Sequence, residues 1–230
     1  MFLGKYREAL FDLTHTLDFD LSNDPLNDHS DPNDSLTKST VLLNRGSVYR
    51  QLGEYDKAIC DYSEMIKIDP NNAQAFNNRS NVYIQKGLHE ESMNDFDEAI
   101  RLDSKYPEAY HNRGHENVIK RKYEEAINDF TMAIKLNFTS AITFLLRGGI
   151  YETKGDYSQA LKDYTEAINT DNKDINAYFI RGSLYFKLGQ YDKAIDDCNI
   201  ISGLNQKVGG IENVHERAEK MYGEATLRNK

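Results

Sequence analysis

Asn44-Arg45-Gly46-Ser47-Val48-Tyr49 returns as Asn78-Arg79-Ser80-Asn81-Val82-Tyr83. Parts of it return again as Asn112-Arg113-Gly114, Arg147-Gly148-Gly149-Ile150-Tyr151 and Arg181-Gly182-Ser183-Leu184-Tyr185. The five arginines stand 34 residues apart. A fixed period of this size marks a repeat architecture, in which each unit buries its apolar face against its neighbours. A second motif keeps step with the first. Gly53-Glu54-Tyr55-Asp56-Lys57-Ala58-Ile59 recurs as Gly155-Asp156-Tyr157-Ser158-Gln159-Ala160-Leu161 and as Gly189-Gln190-Tyr191-Asp192-Lys193-Ala194-Ile195, with looser copies beginning at Gly87 and Arg121. The period divides the chain into units 39–72, 73–106, 107–140, 141–174 and 175–208.

Each half-unit carries apolar residues at helical spacing. In the first unit these are Leu42, Val48, Tyr49 and Leu52, then Ala58, Ile59, Tyr62 and Ile66. That pattern predicts two helices, each with one buried stripe. Gly53, Gly87, Gly155 and Gly189 mark the turn between them, where positive φ is free of steric cost. Arg121 holds that place in the third unit, which predicts a strained or reshaped turn. Gly46, Ser80, Gly114, Gly148 and Gly182 lie inside the first helices. Ala58, Ser92, Ala126, Ala160 and Ala194 are expected opposite them. Glycine inside a helix costs up to about 1 kcal/mol relative to alanine, so close helix approach is the expected reason. Two aromatic columns are expected in the core: Tyr49, Tyr83, Tyr151 and Tyr185, and Tyr62, Phe96, Phe130 and Tyr164.

The period, the small-residue pairs, the turn glycine, the aromatics and Asp69-Pro70 together resemble the tetratricopeptide repeat family over residues 39–208. The resemblance implies an all-α, right-handed superhelical solenoid of antiparallel helix pairs, with a concave groove lined by the first helices. Some family members bind a chaperone C-terminus through a two-carboxylate clamp of lysines, asparagines and an arginine. Here only Asn78 fits that set. Leu43, Ser47, Glu108 and Asn112 depart from it, so a clamp-type cochaperone role is not expected.

Outside the five units the period weakens. Residues 1–19 match a second helix alone, through Gly4, Tyr6, Ala9, Asp12 and Leu13, and an uncovered apolar face there would favour self-association. Residues 20–38, rich in aspartate and proline, read as an acidic loop insertion. Residues 209–230 read as a C-terminal capping helix, with Ile211, Val214, Ala218, Met221, Tyr222 and Ala225 as its apolar face.

The 230 residues carry 39% hydrophobic and 28% charged side chains, enough apolar material for a core. The net charge of −9 disfavours nucleic acid. No apolar run is long enough to span a membrane. Cys60 and Cys198 lie far apart among expected core positions, which suits two buried thiols, a reducing compartment and hence the cytoplasm.

Two charged columns run along the units. Arg45, Arg79, Arg113, Arg147 and Arg181 are expected to pair with Asp61, Asp95, Asp129, Asp163 and Asp197 as a structural ladder of ion pairs. A third column is polar. Asn44, Asn78 and Asn112 share one place in three successive first helices, where an amide can hold a peptide backbone whatever its sequence. In this it is similar to the asparagine ladder of the O-GlcNAc transferase repeats, without that enzyme's catalytic domain. Ser47, Asn77, Asn81, Glu108, His111 and His115 extend the expected peptide groove on its polar side. Leu145, Leu146, Phe179 and Ile180 extend it on its apolar side, which is either open or covered by the C-terminal cap. Glu108, His111 and His115 share a helix face, but no further ligand accompanies them, so no metal is assigned. No catalytic motif or cofactor signature is found. The expected function is a scaffold or adaptor that binds a partner peptide or helix, with a regulatory or targeting portion of a longer enzyme as the alternative.

Overall fold

The computed structural model describes residues 9–15, 32–208 and 212–228, and among them every regular element is a helix. Residues 9–15 are helical and belong to α1. It is followed by α2 (Pro32–Gln51), α3 (Tyr55–Ile68), α4 (Ala73–Gln85), α5 (His89–Leu102), α6 (Pro107–Ile119) and α7 (Tyr123–Lys135). The remainder are α8 (Ala141–Thr153), α9 (Tyr157–Thr170), α10 (Ile175–Lys187), α11 (Tyr191–Val208) and α12 (Glu212–Arg228). The chain forms two compact units, one ending at Glu116 and the other starting at Asn117, so the division falls within α6.

The turns between first and second helices follow one backbone pattern. Gly53 donates to the Arg50 carbonyl at 3.1 Å and Glu54 to the Tyr49 carbonyl at 2.9 Å, the paired bonds that close a helix through a left-handed residue. Gly53, Gly87, Gly155 and Gly189 take φ of 75°, 77°, 82° and 72°. Arg121 takes φ 58°, its N–H donates to the Val118 carbonyl, and the following Lys122 N–H donates to the Asn117 carbonyl, the same pair of bonds. The third turn is therefore strained rather than reshaped. The second helices α3, α5 and α9 end instead on Asp69, Asp103 and Asp171 in extended backbone. Each of these carboxylates accepts a bond from the backbone N–H two residues on. Asn137 stands at that place after α7 and turns left-handed, at φ 66°.

In the first unit the core is Val41, Leu42, Ala58, Tyr62, Met65, Ala75 and Val82, with Leu13 of α1 packed against it. Phe11, also on α1, is 71% exposed. In the second unit one cluster joins Phe144, Ala167, Ile168, Ile175, Ala177, Tyr178, Cys198, Ile201 and Met221 of α12.

Several expectations are corrected. Helix α2 begins at Pro32, so residues 32–38 of the expected loop are helical; proline is well placed at a first helical position, where no N–H is needed. The rest of that loop, residues 20–31, and Gly4, Tyr6 and Ile211 lie outside the described residues. Gly46 and Gly148 make room for tyrosine rings, whereas Gly182 meets Asp197, Met221 and the Ala194 carbonyl, and Ser80 meets Ser92 as expected. A Cβ at Gly46 would stand 2.9 Å from the Tyr62 ring, and one at Gly148 2.7 Å from the Tyr164 ring. Tyr62, Phe96, Phe130 and Tyr164 are buried. Tyr49, Tyr83, Tyr151 and Tyr185 are half-buried instead. The guanidiniums of Arg45, Arg79 and Arg181 lie over three of those rings. Cys60 is exposed, because its place on α3 falls on the outer face, whereas Cys198 is buried. Tyr222 is 41% exposed and lies outside the buried stripe that Met221 and Ala225 form on α12.

Candidate functional site

The frame of each unit is set by the arginines. Arg45 donates to both oxygens of Asp61 at 2.9 and 2.7 Å, and Arg79 to both of Asp95 at 2.8 Å. Arg147 binds Asp163 at 2.9 and 2.7 Å, and Arg181 binds Asp197 at 3.1 and 2.7 Å. All four aspartates are buried. A forked guanidinium matches a carboxylate in this way and is held rigid by it. The third nitrogen reaches back sixteen residues to the previous second helix, from Arg79 to Ser63, Arg147 to Thr131 and Arg181 to Thr165. Arg113 reaches the equivalent Asp97 at 2.7 Å. Asp129 accepts from Asn117 at 3.0 Å. These side chains are committed to holding the helices together.

Helices α2, α4 and α6 bring their faces to one cleft in the first unit. Its volume is about 230 Å³, and it is lined by Arg50, Asn81, Ile84, Gln85, His111, Asn112 and His115. Helical spacing explains the set. Residues 81, 84 and 85 share one face of α4, and 111, 112 and 115 share one face of α6. Helix α4 is positioned by Asn72, whose side chain accepts from Ala75 N–H at 3.0 Å. Burial, together with the neighbouring His115, pushes the His111 imidazole down to about 4, so it is neutral near pH 7 and offers one donor and one acceptor.

The asparagines are partly committed to one another. Asn112 donates to the Asn77 carbonyl oxygen at 3.0 Å, and Asn77 donates to the Tyr106 hydroxyl at 3.3 Å. Asn77 also lies 3.5 Å from the Asn78 oxygen. Asn77 is only 4% exposed, so it is a strut under the groove and not part of its lining. Asn44 is exposed and Asn78 half-buried. Ser47 shares a hydrogen bond with the Tyr62 hydroxyl at 3.1 Å. Glu108 and His115 are exposed. Among the described residues no group of three or more His, Cys, Asp or Glu could hold a metal ion.

The apolar residues of the second unit are half-covered. Leu145 and Phe179 pack beside the large core cluster, and Leu146 and Ile180 pack beside two smaller ones. Helix α12 lies over part of this face. The Arg217 guanidinium is 4.7 Å from the Phe179 ring centre and that of Arg228 is 5.1 Å from Phe186. A cleft of about 350 Å³ remains between α10 and α12, lined by Phe179, Ser183, Phe186, Arg217, Lys220, Met221 and Glu224. The cap therefore narrows the apolar side without closing it.

A TPR repeat model matches residues 46–87, 80–117 and 148–189, and a tetratricopeptide repeat model matches residues 107–140. The chain belongs to the tetratricopeptide repeat family. Solved structures of tetratricopeptide repeat proteins share its fold. The MamA crystal structure is 27% identical, with a TM-score of 0.64, over 70% of this chain and 95% of that one. PilF of Pseudomonas aeruginosa is 16% identical, with a TM-score of 0.70, over 84% of this chain and 91% of that one. YrrB, described as having an unusual peptide-binding site, is 18% identical, with a TM-score of 0.62, over 79% and 92%. No match is found among curated proteins. As a tetratricopeptide repeat protein, the chain is an all-α interaction scaffold in its general class. Among its described residues no helix is long and apolar enough to cross a membrane.

Two features escaped the reading by motif. Arg50, Ile84 and Gln85 line the cleft but lie outside the repeated Asn-Arg-Gly segment. Glu116 is fully buried, with one carboxylate oxygen 2.5 Å from His89 Nδ1 and the other without a hydrogen-bond partner. The available signal was columnar. Glu116 stands where other units have Val48, Val82, Ile150 and Leu184, and His89 stands where they have Tyr55, Tyr123, Tyr157 and Tyr191.

Proposed function

We propose that the protein binds an extended segment of a partner along the face formed by its first helices. The observation that carries this reading is the cleft of the first unit. It gathers amides and imidazoles from α4 and α6 beside Arg50 of α2, and the repeated arginine column is already committed to the frame. Amides and a neutral imidazole both donate and accept, so they suit main-chain N–H and C=O groups. Asn44, Asn78, Asn81, His111, Asn112 and His115 are the proposed contacts of the first compact unit, and Leu145, Leu146, Phe179 and Ile180 are proposed by themselves as an apolar contact face of the second. The same proposal places the protein in a reducing compartment, since both cysteines are free thiols and Cys60 is exposed.

The test blocks the cleft. Asn81→Trp and His115→Trp together fill it from the half-buried and exposed positions. Partners retained by the wild-type protein in a quantitative affinity capture should be depleted with the blocked variant, while circular dichroism shows an unchanged helical fold. Equal recovery by both proteins removes the groove from the account.

A further inference from the structure

We infer that the cleft of the first unit is selective for acid, seating an aspartate or glutamate side chain of the partner segment against Arg50. The inference rests on the groove reading above and adds the chemistry of one subsite to it.

Three observations converge on Arg50. First, among the described residues this cation has no hydrogen-bond or ion-pair partner. The arginines at 45, 79, 113, 147 and 181 all hold carboxylates. Arg101 holds Glu98, and Arg217 and Arg228 lie over aromatic rings. In a chain of net charge −9, an unpaired guanidinium inside a cleft stands out.

Second, the repeat supplies an internal comparison. Three periods along, the position of Arg50 is held by Glu152. There the acid is satisfied from within the chain, accepting from the Tyr164 hydroxyl at 2.9 Å and from Lys187 at 3.2 Å. Arg50 occupies the same place beside Tyr62, the counterpart of Tyr164. Burial raises the Tyr62 phenol, and the nearby Arg50 charge opposes that rise. Of the five equivalent positions, Ile84, Val118 and Phe186 are apolar and only Arg50 and Glu152 are charged, and among the described residues a counter-charge is found at Glu152 but not at Arg50.

Third, the other walls fit a carboxylate and its attached backbone. Asn81 and Gln85 offer amide donors beside Arg50, and His111 and Asn112 close the far side. The two imidazoles add no competing acid, and Glu108 of the same helix is not in the lining. A carboxylate seated here gains a charge-assisted bond from a weakly hydrated, planar donor. These residues differ from the clamp positions of the family, of which only Asn78 is present.

The test uses a bead-displayed library of peptides with acetylated N-termini and amidated C-termini, so that every carboxylate comes from a side chain. The full-length protein, Arg50→Ala and Arg50→Glu are selected in parallel, and each is checked for fold by circular dichroism. The expected result is enrichment of Asp or Glu at one library position by the wild type. Binding of the selected peptide should weaken about tenfold with Arg50→Ala. The preference at that position should turn to Lys or Arg with Arg50→Glu. Enriched peptides without an acidic position, or an acidic preference that persists in Arg50→Glu, overturn the acid subsite and leave the groove standing. Failure of all three folded proteins to enrich any peptide overturns the groove reading itself, and the subsite with it.

Discussion

At the scale of single residues, Glu116 and His89 are the clearest departure from the repeat. A carboxylate sits in a column of valine, isoleucine and leucine, and one of its oxygens has no partner. The two substitutions meet at one contact, His89 replacing tyrosine where Glu116 replaces an aliphatic residue. A buried ion or proton-sharing pair often stabilises less than the apolar contact it displaces, whereas removing one partner strands the other. The double variant His89→Tyr, Glu116→Val should therefore be more stable than the parent, by about 2 kcal/mol. His89→Ala alone should lose about 3 kcal/mol, because it leaves Glu116 buried and unmatched. Urea unfolding of the parent and these two variants checks both signs. A less stable double variant would show that the pair has a stabilising partner beyond the contact described. The sequence makes this pair visible only when the columns are read across units, since each residue alone is ordinary in a helix.

At the scale of elements, most of the architecture was legible from the 34-residue period, because a turn glycine and an apolar stripe act locally. The helix pairs and the left-handed turns at Gly53, Gly87, Gly155 and Gly189 follow from such local signals. What was not legible depends on which neighbour a side chain meets in space. Asn77 looked like a groove residue, yet it is buried beneath Asn112 and Tyr106. Gly46 and Gly148 looked like partners of alanine, yet they give way to tyrosine rings. Arg50 lay outside every repeated motif and came into view only through the cleft. The α6–α7 turn is the informative exception, because Arg121 adopts the glycine conformation in full. A left-handed non-glycine residue carries a cost of about 1 kcal/mol. Arg121→Gly should raise the melting temperature accordingly, with the gain carried by a slower unfolding rate or a faster folding rate. A fall in melting temperature would mean that the Arg121 side chain contributes more than its backbone strains.

At the scale of the whole molecule, the departures gather in one place. Glu116, Asn117, Arg121 and Asn137 all fall in the unit 107–140, and they replace respectively an aliphatic core residue, an aromatic, a turn glycine and an aspartate cap. The stability of a repeat array is a sum of unit and interface contributions, so a weak unit stays weak within it. Hydrogen exchange should accordingly show the lowest protection across residues 39–208 in the segment 107–140, measured by mass spectrometry at residue-level resolution. Equal protection throughout would mean that the other units lend it their stability. The arginine staples bear on the same question from another side. Arg79, Arg147 and Arg181 each grip the second helix of their own hairpin and that of the hairpin before. Such a residue is a rivet through two plates. Under tension from a bound partner, load on one hairpin is handed to the next as shear across a guanidinium, and within each compact unit the stapled hairpins resist pulling together instead of yielding one at a time.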